Sequence, residues 1–378
     1  MFLMSNLIAC ADVGNPNGSS TGIMENNILY VGTMDGEIWA LYAGIPNAQY
    51  APGDKIWSYK IETDRKIRAI YGTPAILNDR LLVGGYDGFL YMLSNNTGSE
   101  IRKIRVGNGD PIVGGPVVAN NTVLIGSSDG KLYAFQITED EFGTNLHEKW
   151  SFRTGNKIWS APSVDNGVVY FGSLDHKLYA INLQDGKKIW EFSTNGAITT
   201  TPLIMNNRVF FGSFDNIFYS VDAKTGVVVA KFSGANGWFW ASPIAINRTI
   251  YAPSLDGNLY AMDDNDLNIR WILEGDTAIL GSPVPVGNRI AVASANGKDS
   301  KIVLANLDNG VVVDECNIGK KTKVTTSLTT HNDSVFFTTD DHGIRTFRIK
   351  PQVRPIDNWV HFTNTGDSSR PERWERSC

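Results

Sequence analysis

Apolar residues in this chain come in short runs, split by clusters of Asn, Asp, Gly and Pro, and nowhere recur with the 3.6-residue period of a helix. Runs such as Val168-Val169-Tyr170-Phe171 are rich in β-branched and aromatic residues, the signature of strands bounded by turns. One phrase recurs down the chain. It reads VGTMDGEIWAL from Val31, VGGYDGFLYML from Val83, IGSSDGKLYAF from Ile125, FGSLDHKLYAI from Phe171, FGSFDNIFYSV from Phe211 and APSLDGNLYAM from Ala252. Two worn copies follow, at Asn296-Gly297 and at Asp341-His342-Gly343. The turns fall at 35, 87, 129, 175, 215, 256, 296 and 341, spacings of 40 to 52 residues. A period of that size fits four short strands per propeller blade.

Each copy divides into strands A to D. A small residue and a proline precede strand A, as in Thr73-Pro74, Gly115-Pro116, Ala161-Pro162, Thr201-Pro202, Ser242-Pro243 and Ser282-Pro283. The Asp-Gly pair between strands B and C reads as a two-residue hairpin with positive φ at both central positions. Strand D carries Trp57, Trp150, Trp190 and Trp271, placed to wedge between neighbouring blades. The last strand D is predicted at Asn358–Thr363, its Trp359-Val-His-Phe matched to Trp150-Ser-Phe-Arg. Blades are predicted to begin near Ser20, Thr73, Gly115, Ala161, Thr201, Ser242, Ser282 and Thr326. The expected fold is all-β: an eight-bladed β-propeller of four-stranded antiparallel blades over 20–365, between an N-terminal tether (1–19) and a polar C-terminal tail (366–378).

Composition narrows the function. Hydrophobic residues at 42% and charged residues at 19% describe a folded chain, and a formal charge of -5 argues against a nucleic-acid binder. Cys10, Cys316 and Cys378 lie far apart, and the five histidines are scattered, so no metal knuckle or CxxC is present. The recurring Asp residues are explained by turn chemistry. No catalytic, metal or cofactor-binding residue is expected.

Recognition is expected on the face where the D–A loops emerge, because the B–C turns are tight and uniform whereas the D–A loops vary. Four residues before each strand A proline stand Ile70, Ile112, Ile158, Ile198, Phe239 and Ile279, a packing set. Three before it stand Tyr71, Val113, Trp159, Thr199, Trp240 and Leu280, different in every blade. The run Gly237-Trp238-Phe239-Trp240 concentrates aromatics there. The candidate binding face therefore comprises Tyr71, Trp159, Trp238, Phe239 and Trp240. Two cationic groups join it: Arg65, Lys66 and Arg68 entering blade 2, and Lys320, Lys321 and Lys323 entering blade 8. These are expected to lie close together in space and to guide an anionic partner, with Glu274 and Asp276 across the ring.

The repeat, best seen in Tyr179-Ala-Ile-Asn-Leu-Gln-Asp-Gly-Lys-Lys-Ile-Trp190, resembles the A-x-D-x-x-T-G-x-x-x-W motif of the quinoprotein (pyrroloquinoline quinone, PQQ) propeller family. The resemblance spans roughly residues 20–365. It implies either a quinoprotein dehydrogenase or a non-catalytic propeller of the BamB type, which are outer-membrane β-barrel assembly lipoproteins. The dehydrogenases clamp the quinone between a Trp and a disulfide of adjacent cysteines, with calcium held by Glu, Asn and Asp. Adjacent cysteines are missing here, so the non-catalytic reading is preferred. Leu7-Ile8-Ala9-Cys10 resembles a lipobox: either the recorded start is an internal point of a longer signal peptide and Cys10 is the candidate lipidation site, the preferred reading, or Cys10 is an ordinary cysteine. The expected protein is a monomeric scaffold of the bacterial cell envelope. It would dock protein partners and be tethered to the membrane through Cys10. A propeller binding a glycan or other small ligand is the alternative, and a PQQ-dependent dehydrogenase a third reading.

Overall fold

A computed structural model describes residues 21–364, apart from 45–46, 48, 51–52, 66, 142, 295–298, 321–323, 325–326, 332–333, 339–343 and 350–358. Eight four-stranded antiparallel sheets succeed one another along the chain. They span Ile23–Lys60, Ala75–Arg105, Val117–Arg153, Ser163–Ser193, Leu203–Phe232, Ile244–Leu273, Val284–Lys320 and Thr329–Asn364, here blades 1 to 8. In each, strands A, B, C and D pair in chain order.

Alternation of side chains across the pleat explains how the blades stack. In blade 4, Phe171 and Tyr179 pack against Leu124 and Leu132 of blade 3. Their neighbours Tyr170 and Leu178 point the other way, onto Val209 and Phe211 of blade 5. Each cluster of this kind is shared by adjacent blades, so the core is a ring of interfaces rather than one central mass. The predicted packing set is wholly buried, Phe239 included. Gly172 ends strand B because a Cβ there would lie 2.3 Å from Ile198.

Strand D tryptophans dock on the next blade as expected. The Nε1 of Trp57, Trp150, Trp190 and Trp271 donates to the carbonyls of Asn95, Leu183, Ala223 and Leu307 at 2.9–3.0 Å. Each indole lies over the glycine of the receiving turn: Gly98, Gly186, Gly226 or Gly310. Where the Trp is replaced, polar contacts take over. Arg102 of blade 2 donates to the Thr144 carbonyl of blade 3. Across the interface of blades 5 and 6, Asn206 donates to Asp264, and Arg208 to the carbonyls of Asp264 and Asn265.

Two expectations about local structure are corrected. The turns with positive φ at both central residues are those between strands A and B, such as Asn120-Asn121, Asn166-Gly167 and Asn206-Asn207. In the B–C turns only the residue after the Asp has positive φ (Gly88, Gly130, His176, Asn216), because these are wider loops closed from Ser173 N to Lys177 O. The second correction concerns the eight-bladed prediction. Blades 1 to 7 share a bulge on strand C next to the Trp-docking position, as between Ala180 and Ile181. The eighth sheet pairs without that break from Ile344 to Ile349. There Phe362, opposite Thr346, holds the docking register, whereas Trp359 stands opposite Ile349. Seven blades are thus built on the repeat, and the eighth is a regular four-stranded meander.

Closure also departs from a shared-strand design. Blade 1 takes all four strands from the start of the fold and blade 8 all four from its end, so no sheet joins the two. Phe336 of blade 8 packs instead among Leu29, Val31, Trp39 and Leu41 of blade 1. Thr329 donates to the Gly22 carbonyl, and His331 bonds to Asn27.

Candidate functional site

Where the D–A loops converge, only small residues fit. A Cβ on Gly115 would meet the Thr73 carbonyl at 2.3 Å, and one on Gly114 the Ser160 carbonyl at 2.6 Å. Loop is stitched to loop by hydroxyls: Thr201 N donates to Ser242 Oγ at 2.8 Å, and Ser282 N to Ser327 Oγ at 2.9 Å. Above this collar opens a funnel of about 430 Å³. The variable position predicted from the sequence supplies its wall: Tyr71, Val113, Trp159, Thr199, Trp240 and Leu280 all line it.

The aromatic residues are held from behind. Trp240 stacks on Phe214 (5.4 Å between centroids, 19° between planes), and Trp238 stacks on the same ring (4.5 Å, 8°). Trp159 packs with Leu174, Ala197 and Phe214 and donates to Ser128 Oγ at 3.2 Å. Tyr71 meets Tyr86 edge-on at 5.3 Å. Burial, with Tyr86 adding to it, pushes the Tyr71 hydroxyl up to about 12, so it remains protonated at neutral pH. Tyr86, Leu174 and Phe214 each precede the turn Asp of a B–C loop, so those loops do contribute to the face. Sequence reasoning set them aside as uniform turns, although the residue before the Asp varies from blade to blade as Tyr86, Ser128, Leu174, Phe214 and Leu255.

Not every candidate residue faces the funnel. Phe239 is buried against Phe218 and Tyr260 and belongs to the core. Trp238 lies outside the funnel lining but is exposed on the same face. Arg65 is a clamp rather than a free cation: its guanidinium donates to the carbonyls of Tyr86 and Gly109. Arg68 is exposed. Lys320 ends strand D of blade 7, while Lys66, Lys321, Lys323 and Cys10 lie outside the described residues. The recurring Asp residues are structural. Asp87, Asp129, Asp175, Asp215 and Asp256 each accept from the Tyr four residues on, at 2.6–2.8 Å. Among the described residues no cluster of His, Cys, Asp and Glu could hold a metal ion.

The family model described as outer membrane protein assembly factor BamB matches residues 47–154, 146–231 and 228–352, well over half of the chain. The chain belongs to the BamB family. No curated protein is significantly similar to it in sequence. Among solved structures, BamB from Moraxella catarrhalis superimposes with a TM-score of 0.68 at 17% identity, covering 88% of this chain and 95% of that one. The computationally designed protein Ika8 gives 0.71 at 17%, covering 89% and 98%. The quinohemoprotein alcohol dehydrogenase ADHIIG from Pseudomonas putida HK5 gives 0.68 at 15%, covering 89% of this chain and 70% of the enzyme. At these identities the likeness is one of fold. Family membership adds an outer-membrane assembly factor as the relative to reason from, while the enzyme raises the question of a quinone. PQQ carries three carboxylates and is held beside calcium. Among the described residues the funnel lining contains no charged side chain, so burying those charges against them would leave the charges without counter-charge or ligand. The described residues do not fit the quinone.

Proposed function

We propose that this chain is a non-catalytic docking propeller of the bacterial envelope, which binds a protein partner on the face bearing the D–A loops. Trp238 carries the reading. It is a large aromatic residue left 36% exposed, yet held flat against Phe214. Behind it, Trp240 and Trp159 join the same apolar cluster. Rigid, clustered, partly exposed aromatics are what the anchors of protein interfaces consist of. Membership of the BamB family supports an envelope location and protein partners in general. In this reading Cys10 bears the lipid that keeps the propeller at the membrane.

The reading is tested with a photo-crosslinking amino acid placed at position 238 and, as a control, at Val228 on an outer strand D. In intact cells, position 238 is expected to yield a discrete adduct with an envelope protein, absent at 228. Equal labelling at both positions, or none at 238, would overturn the proposal.

A further inference from the structure

We propose that the central funnel is itself a binding site, and that its ligand is an uncharged saccharide. Around its wall large and small residues alternate: Tyr71, Trp159 and Trp240 enter blades 2, 4 and 6, whereas Val113, Thr199 and Leu280 enter blades 3, 5 and 7. Three aromatic rings are thereby separated by gaps instead of filling the mouth as a plug. Contacts with Tyr86, Ser128 and Phe214 fix the three rings before any ligand arrives. A pre-organised site loses less entropy on binding. The volume of about 430 Å³ falls within the range of small-ligand sites, roughly 300–1,000 Å³.

The chemistry of the lining selects the ligand class. Among the described residues no lining side chain is charged, which disfavours an anion or cation stripped of its water. A wholly apolar ligand fits poorly too. Among the described residues neither Tyr71 Oη nor Trp240 Nε1 has a hydrogen-bond partner, and the hydroxyls of Thr73, Thr201 and Ser242 line the funnel. Covering these groups without pairing them would cost their hydration. A saccharide meets both demands. Its C–H faces stack on the rings of Trp and Tyr, and its hydroxyls accept from the indole and phenol and pair with the Thr and Ser hydroxyls. The proposal does not rest on protein docking, since Trp238 is not part of the funnel lining.

Isothermal titration of the whole protein with maltohexaose, cellohexaose and chitohexaose tests it, with hexagalacturonate and an uncharged Gly-Ser octapeptide as controls. At least one neutral hexasaccharide is expected to bind saturably. Trp240→Ala should weaken it about tenfold and Tyr71→Phe, which removes only the hydroxyl, about threefold. Trp238→Ala should leave it unchanged, while abolishing the docking of the preceding section. If melting shows Trp240→Ala to be misfolded, Tyr71→Phe and Trp240→Phe carry the test. Any one of three results would overturn the saccharide site: no heat from all three sugars at millimolar concentration, tighter binding of hexagalacturonate or the octapeptide, or full affinity in both ring-lining variants.

Discussion

Asp175 shows how much one repeated residue does. Its carboxylate accepts from the Tyr179 hydroxyl at 2.7 Å, from Gly155 N of the preceding D–A loop at 2.7 Å, and from Lys177 N at 3.2 Å. Desolvation and the hydrogen bond to Asp175 push the Tyr179 phenol well above its ordinary range, which keeps it a donor. Removing the acceptor leaves part-buried donors unpaired, so Asp175→Ala should lower stability by about 1–3 kcal/mol, and Tyr179→Phe by about 1 kcal/mol. Urea denaturation of the two single variants and the double checks this. Strict additivity would show that the pair is not coupled. The turn role of the Asp was legible in the sequence. Its reach to Tyr179 and Gly155 was not, because both contacts depend on how the hairpin folds over the loop. Arg65 makes the same point in reverse: grouped by sequence with Lys66 and Arg68 as recognition charge, it is tied to two backbone carbonyls.

Strands D and the turns that receive them set the register between blades. The glycine of the receiving turn meets two demands at once. Gly186 has φ +69°, and a Cβ there would lie 2.7 Å from the Trp150 ring. Gly186→Ala should therefore lower stability by about 1–3 kcal/mol, combining the left-handed penalty with loss of close indole contact. Thermal melting would check it. A parallel Gly167→Ala, where φ is +76° and the space is open, separates the two contributions. A loss at position 186 no greater than at 167 would mean that the indole contact contributes nothing. The Trp and Gly of this joint were visible in sequence as a repeated motif. The substitutes at blades 2 and 5 were not: Arg102 stands at the Trp position and Asn206 in the A–B turn, but the repeat does not say which group of the next blade either will meet.

At the scale of the whole molecule, the seam between blades 8 and 1 sets the resistance to opening. Other neighbours in the ring are joined by packing and by the continuous chain, whereas this pair is held by packing and two side-chain hydrogen bonds with no chain connection. Phe336→Ala, which removes a buried ring from that seam, should destabilise by about 3–5 kcal/mol. Amide hydrogen exchange followed by mass spectrometry should show strands of blades 1 and 8 exchanging before those of blades 3 to 5, and Phe336→Ala should widen the gap. Uniform exchange around the ring would contradict this account of closure.

Strand order, blade period and the identity of the packing Ile set follow from the sequence alone, because each rests on local chemistry repeated at one interval. The observed strands A begin two or three residues after the predicted blade starts, from Ile23 to Thr329. The variable position holding Tyr71, Trp159 and Trp240 was legible for the same reason: a departure shows only against a repeat. Other features needed the fold. Trp359 sits three residues from the docking register, a difference set by strand pairing in the last sheet and invisible in its four-residue likeness to Trp150. The face gained Tyr86, Leu174 and Phe214 from turns that look uniform in sequence, because curvature of the ring brings each against a loop of the same or the next blade. A one-dimensional repeat specifies which residues differ between blades, and only the closed arrangement of blades decides which of those differences meet.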